Sequence, residues 1–471
     1  MQTATEHFME LAPFVKTDCI IIPQGNIVKI VCPEKQSEKT VEETQKCAIM
    51  ALIQLPKEGF FMNFEARRQR ILDEMADNSL LILYSGSAPH ISSDTYHDFA
   101  ANTHFFYLTG LRRENMILVM RKVSGEDHTA LYIEEADPKA ERWTGKMVTV
   151  DEAKALTGIE DVRFVDRFET EVNSLLCRND ITSCYFDCYR YSAKDLPDIN
   201  LAMAQKFSQE HPGITVRSLW HMVSRLRMQK DEDEQALICK AVDITNQALQ
   251  HVMKNLKPGM KEYQAQANFE YMVHYLGAEG PSFSTIAGSG INGCMLHYET
   301  NRDTCQDGSL LLLDLGTRYE NYCSDITRTY PVNGKFTPRQ RQVYDIVLKA
   351  NKEVTAQAKP GMTTMELNNI CKKVLAQGCM ELGLIENESE LGKYYMHGVS
   401  HHLGIDVHDV TVDGVKLAPG SVITNEPGLY IDEWAIGVRI EDDLLITEDG
   451  CRVLSEAIIK EPDEIEAFMA R

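Results

Sequence analysis

Four carboxylates in the second half of the chain stand where an acid is costly to keep. The leucine run Leu310–Leu313 ends on Asp314, and eleven residues later Asp325 opens a second strand-like segment, DITRTY. Glu426 follows the apolar run VITN just before Pro427, and Glu441 lies within Ile436–Ile446, IGVRIEDDLLI. A carboxylate at the end of an apolar strand is unfavourable unless something neutralises it. A hairpin turning near Arg318–Asn321 would bring Asp314 and Asp325 face to face at roughly 5 Å. Like charges at that range push one proton affinity up, unless cations lie between them. A pair of divalent ions ~3.5–4 Å apart suits such a bridge. Tyr395–Val410, YMHGVSHHLGIDVHDV, adds His397, His401, His402 and His408, with His401 as a nitrogen donor. Four carboxylates and one imidazole favour moderately hard ions such as manganese, cobalt or ferrous iron over a thiolate zinc site. Four negative charges also balance two divalent cations. A water bridging them becomes hydroxide near neutral pH and can attack a carbonyl.

Taken singly, each residue also has a plainer reading. The aspartates could sit in ordinary salt bridges, Glu441 could simply pair with Arg439, and the histidines could belong to a flexible loop. HExxH is absent, so a single-zinc helix site does not account for them. Gly288–Gly293 formally matches GxGxxG, but no helix follows and no βαβ unit encloses it. Those glycines instead suggest a close approach of backbone to a cleft, with His297 at the end of the same segment.

The elements that must position these side chains follow from local patterns. Period-two alternation over Ile436–Ile446 puts Arg439, Glu441 and Asp443 on one strand face. KPGM occurs at Lys257–Met260 and again at Lys359–Met362. Each copy has a helix before it (Glu234–Leu256; Pro338–Ala358) and after it (Tyr263–Tyr275; Met365–Leu382), then a glycine-punctuated β region. This predicts a duplicated unit related by an approximate two-fold. Upstream, Asn63 caps a helix over Phe64–Met75. Strands are predicted at Ser79–Tyr84, Phe105–Thr109, Met116–Arg121, Ala130–Ile133 and Val162–Val165, interleaved with helices at Arg167–Leu176 and Leu201–Glu210. That alternation is an α/β domain. The expected domains are 1–57, an extension of unknown role; 58–228; and 229–471. Cys19–Ile22 and Ile27–Cys32 read as short strands in the first, and Met62 is a candidate native start.

At 471 residues the chain exceeds one compact core. A net charge of −22 argues against a nucleic-acid or anionic-membrane partner. Thirteen scattered cysteines fit reduced thiols in the cytoplasm rather than a disulfide framework. Neither a membrane-length apolar run nor a basic export leader is visible.

The blocks PSFSTIAGSGINGCMLHY, DLG…SDITRTYPVNGKF, MHGVSHHLGIDVHDV, ITNEPGLYI and VRIEDD carry a resemblance. In that order, the sequence resembles the aminopeptidase P family of pita-bread metallopeptidases. Asn63 through FFYLTG (Phe105–Gly110) is similar to the family's creatinase-type domain, so the likeness spans about residues 60–471. It implies an α+β fold: a creatinase-like α/β domain, then a pita-bread catalytic domain with an internal pseudo-two-fold. It implies a metalloaminopeptidase that hydrolyses the N-terminal Xaa-Pro bond of peptides through a hydroxide bridging two metal ions, expected to be manganese. Asp314 would hold one ion, Asp325 and Glu441 would bridge both, and His401 and Glu426 would complete the other. His297 and His408 match substrate-side catalytic histidines, and Glu426 doubles as proton shuttle. His397 would line the pocket for proline, and Arg439, on the substrate side with it, would steady the carboxylates. The implied partners are proline-containing peptides and further copies of the chain, as a dimer or tetramer. Two other readings stand beside this one: a dipeptide-only prolidase and a metal-free binding module.

Overall fold

The computed structural model describes residues 62–470, and the backbone of an antiparallel hairpin pairing Ile20–Gln24 with Ile27–Val31. Contacts divide the chain into Met1–Phe60 and Phe61–Arg471. The expectations for residues 1–57 and for Met62 as a start otherwise lie outside the described residues.

The first layer of the larger unit is a six-stranded mixed sheet. Its strands are β1 (Ser79–Tyr84), β2 (Ile117–Val123), β3 (Glu126–Ile133), β4 (Asp161–Phe164), β5 (Ser183–Phe186) and β6 (Thr215–Ser218), in the order β6-β5-β1-β2-β3-β4. The central strand SLLILY is buried on both faces, which is why it reads as an unbroken apolar run. Helix α1 (Phe64–Glu74) starts where expected, with the Asn63 side chain accepting from Ala66 N–H at 2.9 Å. Phe105–Thr109 is not a strand. It lies in helix α2 (Thr103–Thr109) despite its β-favouring aromatics. The Asn102 side chain accepts from Phe105 N–H at 2.9 Å, and Gly110 closes the helix in the left-handed region at φ 72°. Capping at both ends and burial from His104 to Thr109 outweigh propensity. Helices α3 (Phe168–Arg178), α4 (Ile199–Glu210) and α5 (Trp220–Arg227) follow, after two shorter helices at Glu141–Thr144 and Val150–Thr157.

The remainder is built twice. Helices α6 (Glu232–Asn255) and α7 (Glu262–Tyr275) pack together across the first KPGM, and α8 (Pro338–Gln357) and α9 (Thr364–Glu381) across the second. Capping boxes at Asp231/Glu234, Thr337/Gln340 and Thr363/Glu366 set three of the four starts. The first helix pair leads to the antiparallel sheet β7 (Ile286–Ser289), β8 (Leu310–Leu315) and β9 (Ile326–Pro331). The second leads to β10 (Val422–Asn425), the hairpin β11 (Gly428–Ile431)–β12 (Ile436–Arg439), and β13 (Asp442–Ile446), which pairs with β10. Ile436–Ile446 is therefore two strands, not one. It changes partner at Ile440–Glu441, where Glu441 N–H donates to Thr327 O at 3.0 Å and ties the halves together. Among the described residues, no helix is long and apolar enough to cross a membrane.

Candidate metal centre

The register of the first sheet sets two of the carboxylates. Asp314 pairs with Thr327 and Leu315 with Ile326, so Asp325, just ahead of β9, lies diagonally from Asp314 rather than directly opposite. The chain reverses at Glu320 and Asn321, both at positive φ (46° and 69°). Gly316 lets the limbs close: a Cβ there would meet Ser324 O at 1.8 Å and Ser282 Oγ at 2.3 Å.

The second half supplies the other ligands. Glu426 follows β10, and Glu441 sits at the partner switch between β12 and β13. The histidine loop runs along β10 as if it were another strand. Leu403 N–H donates to Val422 O at 3.0 Å, Thr424 N–H to His401 O at 2.9 Å, and Glu426 N–H to Val399 O at 2.9 Å. Its glycines and this backbone pairing exclude a helix there.

Asp314, Asp325, His401, Glu426 and Glu441 line one cavity of about 310 Å³, together with His297, His397, Ser400, His408 and Arg439. Asp325, His401 and Glu441 each offer a ligand atom within 4.8 Å of the others. His401 Nε2 lies 3.4 Å from Asp325 Oδ2 and 3.6 Å from Glu426 Oε1. Its Nδ1 faces His402 O at 3.0 Å, which leaves Nε2 for the cluster. Thr327 Oγ1 donates to Glu441 Oε2 at 2.6 Å. A roomier cavity, about 360 Å³, lies between α3 and α4 and is lined by Tyr84, Phe168, Phe186, Met203 and Phe207. It contains none of these ligand atoms.

The electrostatics are those of a site short of positive charge. Burial pushes Asp325 and Glu441 up, and the neighbouring acids add to it. Glu426 is pushed up to about 7 by burial, partly offset by His401 and Arg439. Burial alone would lower His401, but the hydrogen bond and charge of Asp325, with Glu426, hold it at about 9. The cluster keeps protons that its isolated groups would release. Asp314 Oδ1 is buried with no hydrogen-bond partner. Oxygen-rich, anionic and partly unsatisfied, this donor set fits divalent cations.

Arg439 is buried and fully engaged. Its Nη2 holds Asp314, its Nε donates to Thr327 Oγ1 at 3.0 Å, and its Nη1 donates to Tyr430 OH at 2.9 Å. Tyr430 therefore gives its own proton to His397 Nε2, 2.7 Å away, and His397 Nδ1–H faces Gly398 O at 2.7 Å. His397 is held neutral, its pKa lowered to about 4 by burial and then by Arg439. His408 stacks on His401, ring centroids 4.0 Å apart at 22°, and is lowered to about 4 chiefly by burial.

Sequence reasoning missed Thr327, Tyr430 and the support from Asp443, whose Oδ2 accepts Asp325 N–H at 3.2 Å. Thr327 was within reach, two residues past Asp325 on the same strand face. Nothing local marks Tyr430.

Residues 236–448 match the model of Metallopeptidase family M24, and residues 64–185 that of the Aminopeptidase P, N-terminal domain. The chain is similar to the Xaa-Pro aminopeptidase of Escherichia coli, 34% identical over 430 residues, covering 86% of this chain and 97% of the relative. It is 31% identical over 417 residues to Xaa-Pro aminopeptidase 3 of Homo sapiens, covering 84% and 81%. Among solved structures, a Bacillus anthracis protein described as an aminopeptidase P superposes with TM-score 0.85 at 41% identity, covering 86% and 97%. Escherichia coli aminopeptidase P with the inhibitor Pro-Leu gives 0.79 at 33%, covering 86% and 97%.

Proposed function

The chain belongs to the aminopeptidase P family of M24 metallopeptidases and is a proline-specific hydrolase; on that premise, we propose that it releases the first residue of peptides with proline second, using two manganese ions. The observation that carries this is the convergence of Asp314, Asp325, His401, Glu426 and Glu441 on one cavity. In this reading Asp314, Asp325, His401, Glu426 and Glu441 would hold the cations, with Asp325 and Glu441 shared between the two. When bound, the cations would supply a bridging hydroxide at neutral pH and polarise the scissile carbonyl.

The protein's own groups do the rest. As in the hydrolysis of any amide, the leaving proline nitrogen must gain a proton when its bond to the carbonyl carbon breaks. Glu426, a carboxylate placed between His401 and His397, is suited to take a proton from the attacking water and deliver it. His408, neutral, and His297 hold the carbonyl and its developing negative charge. His397 packs edge-on against buried Tyr395, ring centroids 4.8 Å apart at 64°, which steadies the imidazole that would line the pocket for proline. The same reading puts a domain boundary at 228/229 and the protein in the cytoplasm as a homo-oligomer. The free thiols of the described cysteines agree with that setting.

The test is hydrolysis of a Xaa-Pro panel with manganese added, comparing Gly-Pro with Xaa-Pro-Pro tripeptides. Release of the first residue from tripeptides is expected, and activity confined to dipeptides would replace this reading with a prolidase. Asp325→Asn should abolish turnover while leaving circular dichroism unchanged; wild-type turnover would remove the bridging role.

A further inference from the structure

Of the histidines around the cavity, His297 is the least supported. His397 is held by Tyr430 and Gly398, His401 by His402 O, and His408 stacks on His401. The exposed His297 ring makes no hydrogen bond to the described residues, so its place depends on the backbone that carries it.

That backbone, residues 289–303, is gathered onto one carboxylate. Glu262, in the first turn of α7, is 0% exposed and has four donors. Its Oε1 accepts from Ser289 N–H at 2.8 Å and Asn292 Nδ2 at 3.0 Å. Its Oε2 accepts from Tyr298 OH and from Asp303 N–H, both at 2.8 Å. These donors sit at the start of the segment, within its glycine-rich turn, next to His297, and at its end. Asn292 Nδ2 also reaches Tyr298 OH at 3.0 Å and Asp303 Oδ2 at 2.8 Å, closing the network.

None of the four is a cation. Buried without one, a carboxylate survives here because each oxygen accepts two hydrogen bonds. The arrangement also demands an acid. Each oxygen faces one backbone N–H that cannot turn round, so either orientation of a glutamine would set its NH₂ against a donor.

We propose that Glu262 is a positioning residue for the hydrolytic reaction, holding residues 289–303 so that His297 stands over the cavity. It does not line that cavity. The inference rests on the substrate-side role given to His297 above.

The test is a double-mutant cycle on the full-length, manganese-loaded enzyme with a Xaa-Pro tripeptide: Glu262→Gln, Tyr298→Phe, His297→Ala and their pairs. Metal content and amide hydrogen exchange over 289–303 are followed in parallel. Glu262→Gln should lower kcat/KM by roughly 10- to 100-fold, the scale of a small misplacement of a reacting group. Metal content should be unchanged and exchange over 289–303 faster. Adding it to His297→Ala should cost little more, whereas independent roles would multiply the two losses. Tyr298→Phe removes one donor from a half-exposed side chain and should give a smaller loss, again non-additive with His297→Ala. If Glu262→Gln fails to fold, that second cycle decides. Multiplicative losses or unchanged exchange overturn the proposal. Wild-type turnover in His297→Ala would instead overturn the role given to His297, and the exchange result would then judge the hold of Glu262 alone.

Discussion

An imidazole wedged between two carboxylates is a proton trap until a stronger positive charge arrives. His401 sits at about 9, where Asp325 and Glu426 outweigh the lowering from burial, and Glu426 sits at about 7 because burial raises it. A cation must displace both protons to use these ligands. Below about pH 7 both groups carry them, and between about 7 and 9 only His401 does. Manganese affinity should therefore rise from pH 6 to pH 9, while the number of protons released on binding falls. Calorimetry in buffers of different ionisation enthalpy counts those protons. A flat affinity across that range would contradict the assignment. At this scale the sequence was legible in residue type: acids at strand ends and a histidine-rich segment announce themselves. It was silent on orientation. That Arg439 spends all three nitrogens on Asp314, Thr327 and Tyr430, and that Tyr430 in turn selects the tautomer of His397, depends on atoms that meet only after folding.

At the scale of elements, the β8–β9 hairpin is held to its geometry by one missing side chain. Any Cβ on Gly316 runs into Ser324 O at 1.8 Å, a backbone atom that cannot rotate away. Gly316→Ala should thus force apart the limbs that carry Asp314 and Asp325. The expected result is a destabilisation of at least ~1–3 kcal/mol, the usual scale for overpacking, together with weakened manganese binding. Thermal unfolding and metal titration measure the two. Ser282→Ala in the same chain should not rescue it, because the carbonyl clash remains. The repeated helix–KPGM–helix units were readable because caps and amphipathic spacing are local. The aromatic run Phe105–Thr109 misleads for the complementary reason: its propensity is for strand, while Asn102, Gly110 and the surrounding core impose a helix. Ile436–Ile446 keeps its alternation yet changes partners halfway, which no one-dimensional pattern encodes.

Across the whole molecule, the first layer reaches into the histidine loop. Arg227, at the end of α5, contacts Asp409 and, at 2.7 Å, Asp406, and its Nη1 donates to Thr103 Oγ1 of α2 at 2.8 Å. Lys230 Nζ meets Asp409 Oδ2 at 2.8 Å. Asp409 follows His408 directly, so a buried ion cluster anchors the loop that presents three of the site histidines, His397, His401 and His408. Burial would raise the Asp409 pKa, but Arg227 and Lys230 outweigh it and hold the carboxyl well below the ordinary range. A depressed acid stabilises the fold above its unfolded pKa of about 3.9, and that contribution is lost as pH falls toward the folded value. Arg227→Met should therefore cost about 3–5 kcal/mol near neutral pH, as expected when one partner of a buried pair is removed. The deficit should shrink below about pH 4 as Asp409 takes a proton. Denaturant unfolding at several pH values follows this, and a deficit independent of pH would assign Arg227 to packing alone.

The sequence by itself determined the chemistry on offer: four acids and an imidazole at strand ends and in one loop, the duplicated helix pairs, and the likeness to one peptidase family. These are local patterns, written in types and spacings a few residues apart. Only the tertiary structure decided which oxygen meets which donor. Asp325 lies diagonal to Asp314, Glu262 gathers the His297 segment, and Arg227 reaches Asp409 across 182 residues of chain. Contacts of that kind leave no periodic trace, because the chain brings their members together only when the core has closed around them.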